Sequence, residues 1–142
     1  MTQQTIVIVN TGCANISSVK FALERLGVSV TVSDDPAVIK GADKVFLPGV
    51  GAAGAAMTSI TAKQLIPTLQ GLTQPVLGVC LGMQLMVEQS DEATTGTIDC
   101  LKLLPGHVKR MQAGELRLPH MGWNTISPVG DSPLFKGLGE GT

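Results

Sequence analysis

Cys80 lies in Gly78-Val79-Cys80-Leu81-Gly82. This is the thiol counterpart of the Gly-x-Ser-x-Gly turn that presents a hydrolytic nucleophile. The spacing has a steric cause. A nucleophile on a sharp strand-to-helix turn is held above the sheet in a strained backbone conformation, and a glycine two residues to either side lets neighbouring backbone and helix come close. A cysteine at a helix start also meets the positive end of the helix dipole, which favours thiolate. The N–H of Leu81 then points toward the oxygen of a tetrahedral intermediate. The plainer alternative is a small core thiol in a glycine-rich turn, the common fate of a cysteine. Val76-Leu77-Gly78-Val79 before it reads as a strand, and Met83, Leu85, Met86 and Val87 after it as an apolar helix. That context favours the nucleophile.

A second cluster, Gly49-Val50-Gly51-Ala52-Ala53-Gly54, matches Gly-x-Gly-x-x-Gly literally. One reading is a dinucleotide fingerprint, which makes the chain a non-catalytic nucleotide-binding module. That fingerprint normally follows the first strand, and an acidic residue belongs about 20 residues further on. Here the cluster follows the third strand, and the later region is Leu72-Thr73-Gln74-Pro75. The other reading is an oxyanion strand. Backbone N–H groups at Val50 and Gly51 face a substrate carbonyl, and glycine permits close approach and a peptide flip.

The elements that position these groups alternate. Ile6-Val7-Ile8-Val9 is β-branched throughout, as for a central strand buried on both faces. A turn-rich loop, Asn10 to Asn15, follows. Ile16, Val19, Leu23 and Leu26 recur at helical spacing, and Gly27 stands where the helix stops. Val28 to Val32 reads as the second strand, and Pro36 opens a short helix through Lys40. Lys44 to Leu47 reads as the third strand, ended by Pro48. A small-residue helix begins near Ala52, and another helical stretch contains Leu65, Ile66 and Leu69. Pro75 precedes the fourth strand. This order predicts an α/β fold with a doubly wound, mostly parallel sheet, whose ligands sit beyond the carboxyl ends of the strands. Both glycine clusters lie there. After Ser90, short pieces such as Leu101 to Leu104 and Val108 to Met111 read as a small antiparallel extension, with no linker marking a second domain.

Composition narrows the class further. The 142 residues suffice for one sizeable core, and a net charge of −1 favours neither nucleic acid nor an anionic membrane. The start, Met1 to Thr5, has no basic run, and Ile6 to Val9 is too short for a signal peptide or a span, so a cytoplasmic location is expected. Cys13, Cys80 and Cys100 are odd in number and lack Cys-x-x-Cys spacing, which fits neither a disulfide framework nor a zinc site.

Four segments together carry a family resemblance: Asn10-Thr11-Gly12-Cys13-Ala14-Asn15, Phe46-Leu47-Pro48-Gly49-Val50-Gly51, Gly78-Val79-Cys80-Leu81-Gly82-Met83-Gln84 and Pro119-His120-Met121-Gly122-Trp123-Asn124. The chain resembles class I (triad) glutamine amidotransferases, which have a flavodoxin-like sheet. The cysteine segment alone identifies the class. The first and last segments point to the histidine-biosynthesis branch, whose glutaminase subunit passes ammonia to a (β/α)8-barrel cyclase that forms imidazole glycerol phosphate. A glutaminase of another class I amidotransferase is the near alternative. The resemblance implies residues 1–142 as part of one amidotransferase domain, glutamine as substrate, a heterodimer with the cyclase, and no metal or cofactor. Cys80 corresponds to the nucleophile. Val50, Gly51 and the N–H of Leu81 correspond to the oxyanion hole, and Gly49, Gly51, Gln84 and Glu92 to glutamine-binding positions. Met121, Trp123 and Asn124 correspond to the partner interface, although Trp123 also fits an anchor of the small extension to the core.

The family's catalytic histidine and glutamate belong to a His-Pro-Glu type segment. His107 and His120 are the two histidines here, and neither is followed by Pro-Glu. His107 reads as a surface or strand residue with no acid at the required spacing. The expectation is therefore the N-terminal two-thirds of an amidotransferase, inactive on its own.

Overall fold

The computed structural model describes residues 4–139, 141 and 142. Residues 1–3, part of the start read above as lacking a basic run, lie outside the described residues, as does residue 140. The chain forms two compact units, Met1–Arg110 and Met111–Thr142.

The first unit holds a four-stranded parallel sheet in the order β2-β1-β3-β4, made of β1 (Ile6–Val9), β2 (Val30–Ser33), β3 (Lys44–Gly49) and β4 (Val76–Cys80). Strand β1 is central, and each of its four residues is buried. That placement explains the unbroken β-branched run, since a strand covered on both faces needs no polar alternation. One face packs Ile6, Ile8 and Phe46 against Ile16, Val19 and Leu23 of helix α1 (Ile16–Glu24). The other packs Val7, Val9, Val45 and Leu47 against α2 (Pro36–Lys40), α3 (Ala53–Ala62), α4 (Ile66–Gln70) and α5 (Leu81–Leu85) through Ile39, Ile60, Leu69 and Leu85. Helices on both faces make the sheet doubly wound, as expected. Truncating a fully buried side chain such as Leu47 to alanine costs about 2–5 kcal/mol.

Several local readings need correction. Strand β2 begins at Val30 rather than Val28, because Gly27 turns the chain at φ 77° and the ladder starts only where Val30 meets Ile6. Pro48 does not end β3, whose pairing with β4 continues through Pro48–Val79 and Gly49–Cys80. The N–H of Val45 donates to the Pro75 carbonyl on the β4 side, so alternation turns residue 48 toward β1. The β1 ladder has stopped at Phe46, and a missing N–H costs little at an unpaired edge. Helix α5 is shorter than its apolar run, with Met86 as its cap and Val87 beyond it. Leu101 to Leu104 is not a strand. The N–H groups of Leu101, Leu103 and Leu104 donate to the carbonyls of Leu85 and Met86, and that of Lys102 to Val87. The segment thus satisfies acceptors at and beyond the end of α5 that the helix cannot use.

The small extension is a mixed sheet rather than an antiparallel one. Strand β5 (Gln89–Ser90) pairs antiparallel with β6 (Ile98–Asp99) and parallel with β7 (His107–Val108), and Met111 lies outside it. The parallel pairing needs a crossover, supplied by the segment that wraps the end of α5.

Among its described residues the second unit has one helical element, the 3-10 turn Pro133–Phe135, capped by the Ser132 hydroxyl, which accepts from the N–H of Leu134. None of its described residues is buried.

Candidate active site

Cys80 stands where β4 becomes α5, with φ 54° and ψ −123°. Few non-glycine residues hold positive φ, and such strain costs on the order of 1–3 kcal/mol. It persists because the surroundings fix both neighbours. A Cβ on Gly78 would lie 2.5 Å from the Met83 Cα, and one on Gly82 would lie 2.7 Å from the Leu47 carbonyl carbon. Gly49 is equally close, with the Gly82 nitrogen 2.7 Å from its virtual Cβ. The end of β3 and the start of α5 are therefore in backbone contact. The glycine spacing of the motif is the sequence trace of that packing.

The three cysteines differ in environment. Cys80 is exposed, Cys13 is half-buried and Cys100 is buried. Burial, with a smaller contribution from Asp99, pushes the Cys100 thiol up and keeps it protonated.

Around Cys80, Leu81 is buried and opens α5, so no carbonyl of that helix can accept its N–H. The loop after β3 carries exposed Val50 and then Gly51 at φ 85°. The N–H of Val50 is engaged, donating to the Cys13 carbonyl at 2.9 Å. Val50 is thus not poised as an oxyanion donor in this structure. The Asn10-to-Asn15 loop that supplies this carbonyl is itself tied down. Asn10 Oδ1 accepts from Gly12 N–H, Ser59 of α3 donates its hydroxyl to the Thr11 carbonyl, and Asn15 Oδ1 caps α1 by accepting from Ser18 N–H.

Gln84 lies on α5, four residues beyond Cys80, which is the N-cap of that helix. Its Oε1 is buried and accepts no hydrogen bond from the described residues. An orphaned buried acceptor costs about 1–3 kcal/mol. Gln84 and Glu92 line one cavity of about 320 Å³, together with Asp91, Val108, Lys109 and Arg110. That volume is at the lower end of small-molecule sites, which run from ~300 to ~1,000 Å³.

Three of these wall residues, Asp91, Lys109 and Arg110, were not singled out from the sequence. Their signal lies in the β5–β7 register, Gln89 against His107 and Ser90 against Val108, which the Asp91 N–H to Val108 carbonyl bond carries further. Continuing it sets two acids beside two bases. His107 does lie on a strand, but it has an acid partner that spacing did not reveal. Its Nε2 is 2.7 Å from Asp91 Oδ1, which also accepts from the Thr97 hydroxyl at 2.7 Å. Those hydrogen bonds, Thr97 first, hold the Asp91 carboxyl below its ordinary range.

His120, Met121, Trp123 and Asn124 belong to the second unit, and all four are exposed. Among the described residues, no group of three or more His, Cys, Asp or Glu side chains could hold a metal ion, and no helix is long and apolar enough to cross a membrane.

Comparison with known proteins agrees with this architecture. Residues 7–141 match the family described as glutamine amidotransferase class-I. The chain is 53% identical over 144 residues to the imidazole glycerol phosphate synthase subunit HisH 1 of Vibrio vulnificus strain YJ016, covering 99% of this chain and 71% of that protein. It is 54% identical over 153 residues to the HisH subunit of Colwellia psychrerythraea, covering 99% and 68%. Identity to the HisH subunit of Idiomarina loihiensis is 56% over 129 residues, covering 91% and 64%. With a match over nearly its whole length and a strained cysteine between strand and helix, the chain belongs to the class I glutamine amidotransferase family.

Proposed function

We propose that this chain is the glutaminase subunit of an imidazole glycerol phosphate synthase, in which Cys80 opens glutamine and the ammonia passes to a (β/α)8-barrel cyclase subunit. The observation that carries the reading is the pairing of positive-φ Cys80 with the orphaned Gln84 acceptor one turn away. The identities of 53% and 54% to HisH subunits support the choice of branch.

In this reading the Cys80 thiolate attacks the carboxamide carbon of glutamine. A tetrahedral oxyanion forms, held by the N–H of Leu81 and the backbone at Val50-Gly51. Its collapse breaks the C–N bond, the nitrogen takes up the proton that the thiol lost and leaves as ammonia, and water cleaves the glutamyl thioester to glutamate, restoring the thiol. Gly49, Gln84 and Glu92 position the substrate. Because the Val50 N–H is held by Cys13, this arrangement requires the peptide before Val50 to turn, which Gly49 and Gly51 permit on either side.

The test is labelling by a diazo-ketone analogue of glutamine, followed by peptide mapping. Cys80 should carry the label and L-glutamine should protect it. Modification of Cys13 or Cys100 with Cys80 untouched would remove the nucleophile assignment.

A further inference from the structure

The wall of the cavity beside Gln84 hangs on little backbone. Asp91 and Glu92 follow β5, and Val108, Lys109 and Arg110 come from β7 and the residues after it. Each of the three strands in this small sheet has two residues, and so short a pairing is marginal in water without side-chain support. That support converges on one atom. Asp91 Oδ1 is 2.7 Å from His107 Nε2 on β7 and accepts at 2.7 Å from the hydroxyl of Thr97, just before β6. The register explains the reach. Gln89 stands opposite His107, and Asp91 lies two residues beyond Gln89, so the Asp91 and His107 side chains share a face. The Asp91 carboxyl lies below its ordinary range, so near neutrality it is ionised and can only accept. The imidazole must therefore carry a proton on Nε2.

We infer that His107 is the positioning residue of this wall: by donating to Asp91 it latches β7 onto β5 and so keeps Val108, Lys109 and Arg110 on the cavity that Gln84 and Glu92 line. The inference rests on the glutaminase reading for the cavity's ligand, though not for the latch itself. The other ties lie elsewhere. The Gly106 N–H donates to Glu88 Oε2 at 3.3 Å before β7 begins, and Gln89 Nε2 donates to Asp99 Oδ1 at 3.3 Å toward β6. Lys109 attracts Asp91 electrostatically, a pull that salt screens at this exposed carboxylate. Thr97 holds the same oxygen from the β6 side. Without the imidazole, Asp91 therefore stays fastened toward β6 while β7 loses its side-chain tie. The backbone bond next to that tie is the one from the Asp91 N–H to the Val108 carbonyl, at 2.9 Å. Its opening reports the latch directly.

Amide hydrogen exchange and calorimetric titration with L-glutamine, both on the full chain, test this. His107→Phe keeps a ring but removes the donor, whereas His107→Gln keeps an N–H that can reach the carboxylate. In His107→Phe the Asp91 amide should exchange about fivefold faster or more, the worth of one hydrogen bond, while the amides of β1 stay as in wild type. L-glutamine should bind more weakly by a similar factor. His107→Gln should recover most of both losses, a rescue that ring packing alone would not give. Unchanged exchange at Asp91, or equal acceleration in β1, overturns the latch. Faster exchange with unaltered glutamine affinity overturns the positioning role and leaves the glutamine site standing. A wild-type chain that does not bind L-glutamine overturns the glutaminase reading instead, and the Asp91 amide then decides by itself whether His107 holds the wall.

Discussion

Val50 donates its backbone N–H to the carbonyl oxygen of Cys13 at 2.9 Å, so the loop after β3 is fastened to the loop after β1. The same N–H is the one that an oxyanion reading assigns to the substrate. It cannot serve both acceptors in one orientation, so on that reading occupation of the site requires release of Cys13.

Val50→Pro removes that N–H. If the group stabilises the oxyanion, labelling of Cys80 by the diazo-ketone should slow by about 10²–10³-fold, the usual loss for one such donor. Alkylation by iodoacetamide, which needs no oxyanion hole, should be nearly unchanged. Equal rates for both reagents, relative to wild type, would make the Val50–Cys13 bond purely structural.

Cys80 pays for its exposure with backbone strain, and glycine is the residue that relieves it. Cys80→Gly should unfold in urea with about 1 kcal/mol more stability than Cys80→Ala, after allowing for the extra unfolded-state entropy of glycine. Both variants should lose diazo-ketone labelling. Identical stabilities would mean that the φ of 54° is not strained in solution.

The Asp91 carboxyl is held below its ordinary range by Thr97 and His107. A depressed folded-state value stabilises the fold above the unfolded value, near pH 4, and that stability is lost as pH falls through the folded value. Asp91→Asn should therefore lower stability near neutrality, where the contribution is fully present, and flatten the acid limb, so that variant and wild type converge as pH falls through the folded value. The group is exposed, so added salt should shrink the difference. An unchanged acid limb in the variant would contradict the linkage.

Trp123 is exposed and is the only tryptophan of the chain. As an interface anchor it should contribute heavily to cyclase binding, so Trp123→Ala should weaken association by about 2 kcal/mol or more. In the complex with the cyclase, glutamine-dependent turnover should fall further than turnover with added ammonia, because only the former needs a sealed path. Normal association with equal loss of both activities would assign Trp123 to folding instead.

The sequence alone determined the central architecture, because that architecture rests on local rules. The β-branched run Ile6–Val9 fits a strand buried on both faces. The glycines at 78 and 82 mark where a helix start crosses a strand end too closely for a Cβ. What it could not determine depends on chain segments that meet from a distance. Asp91 and His107 are 16 residues apart and touch only because β5 and β7 pair in parallel across the wrap around α5. The same pairing sets Glu92 and Arg110 on one cavity, and no periodicity encodes it. Likewise, Pro48 looked like a stop until the register left its nitrogen on an unpaired edge. Spacing along the chain fixes what a residue can do to its near neighbours. Which distant acceptor or charge it faces is decided by packing, and so the committed N–H of Val50 and the acid partner of His107 emerged only from the tertiary structure.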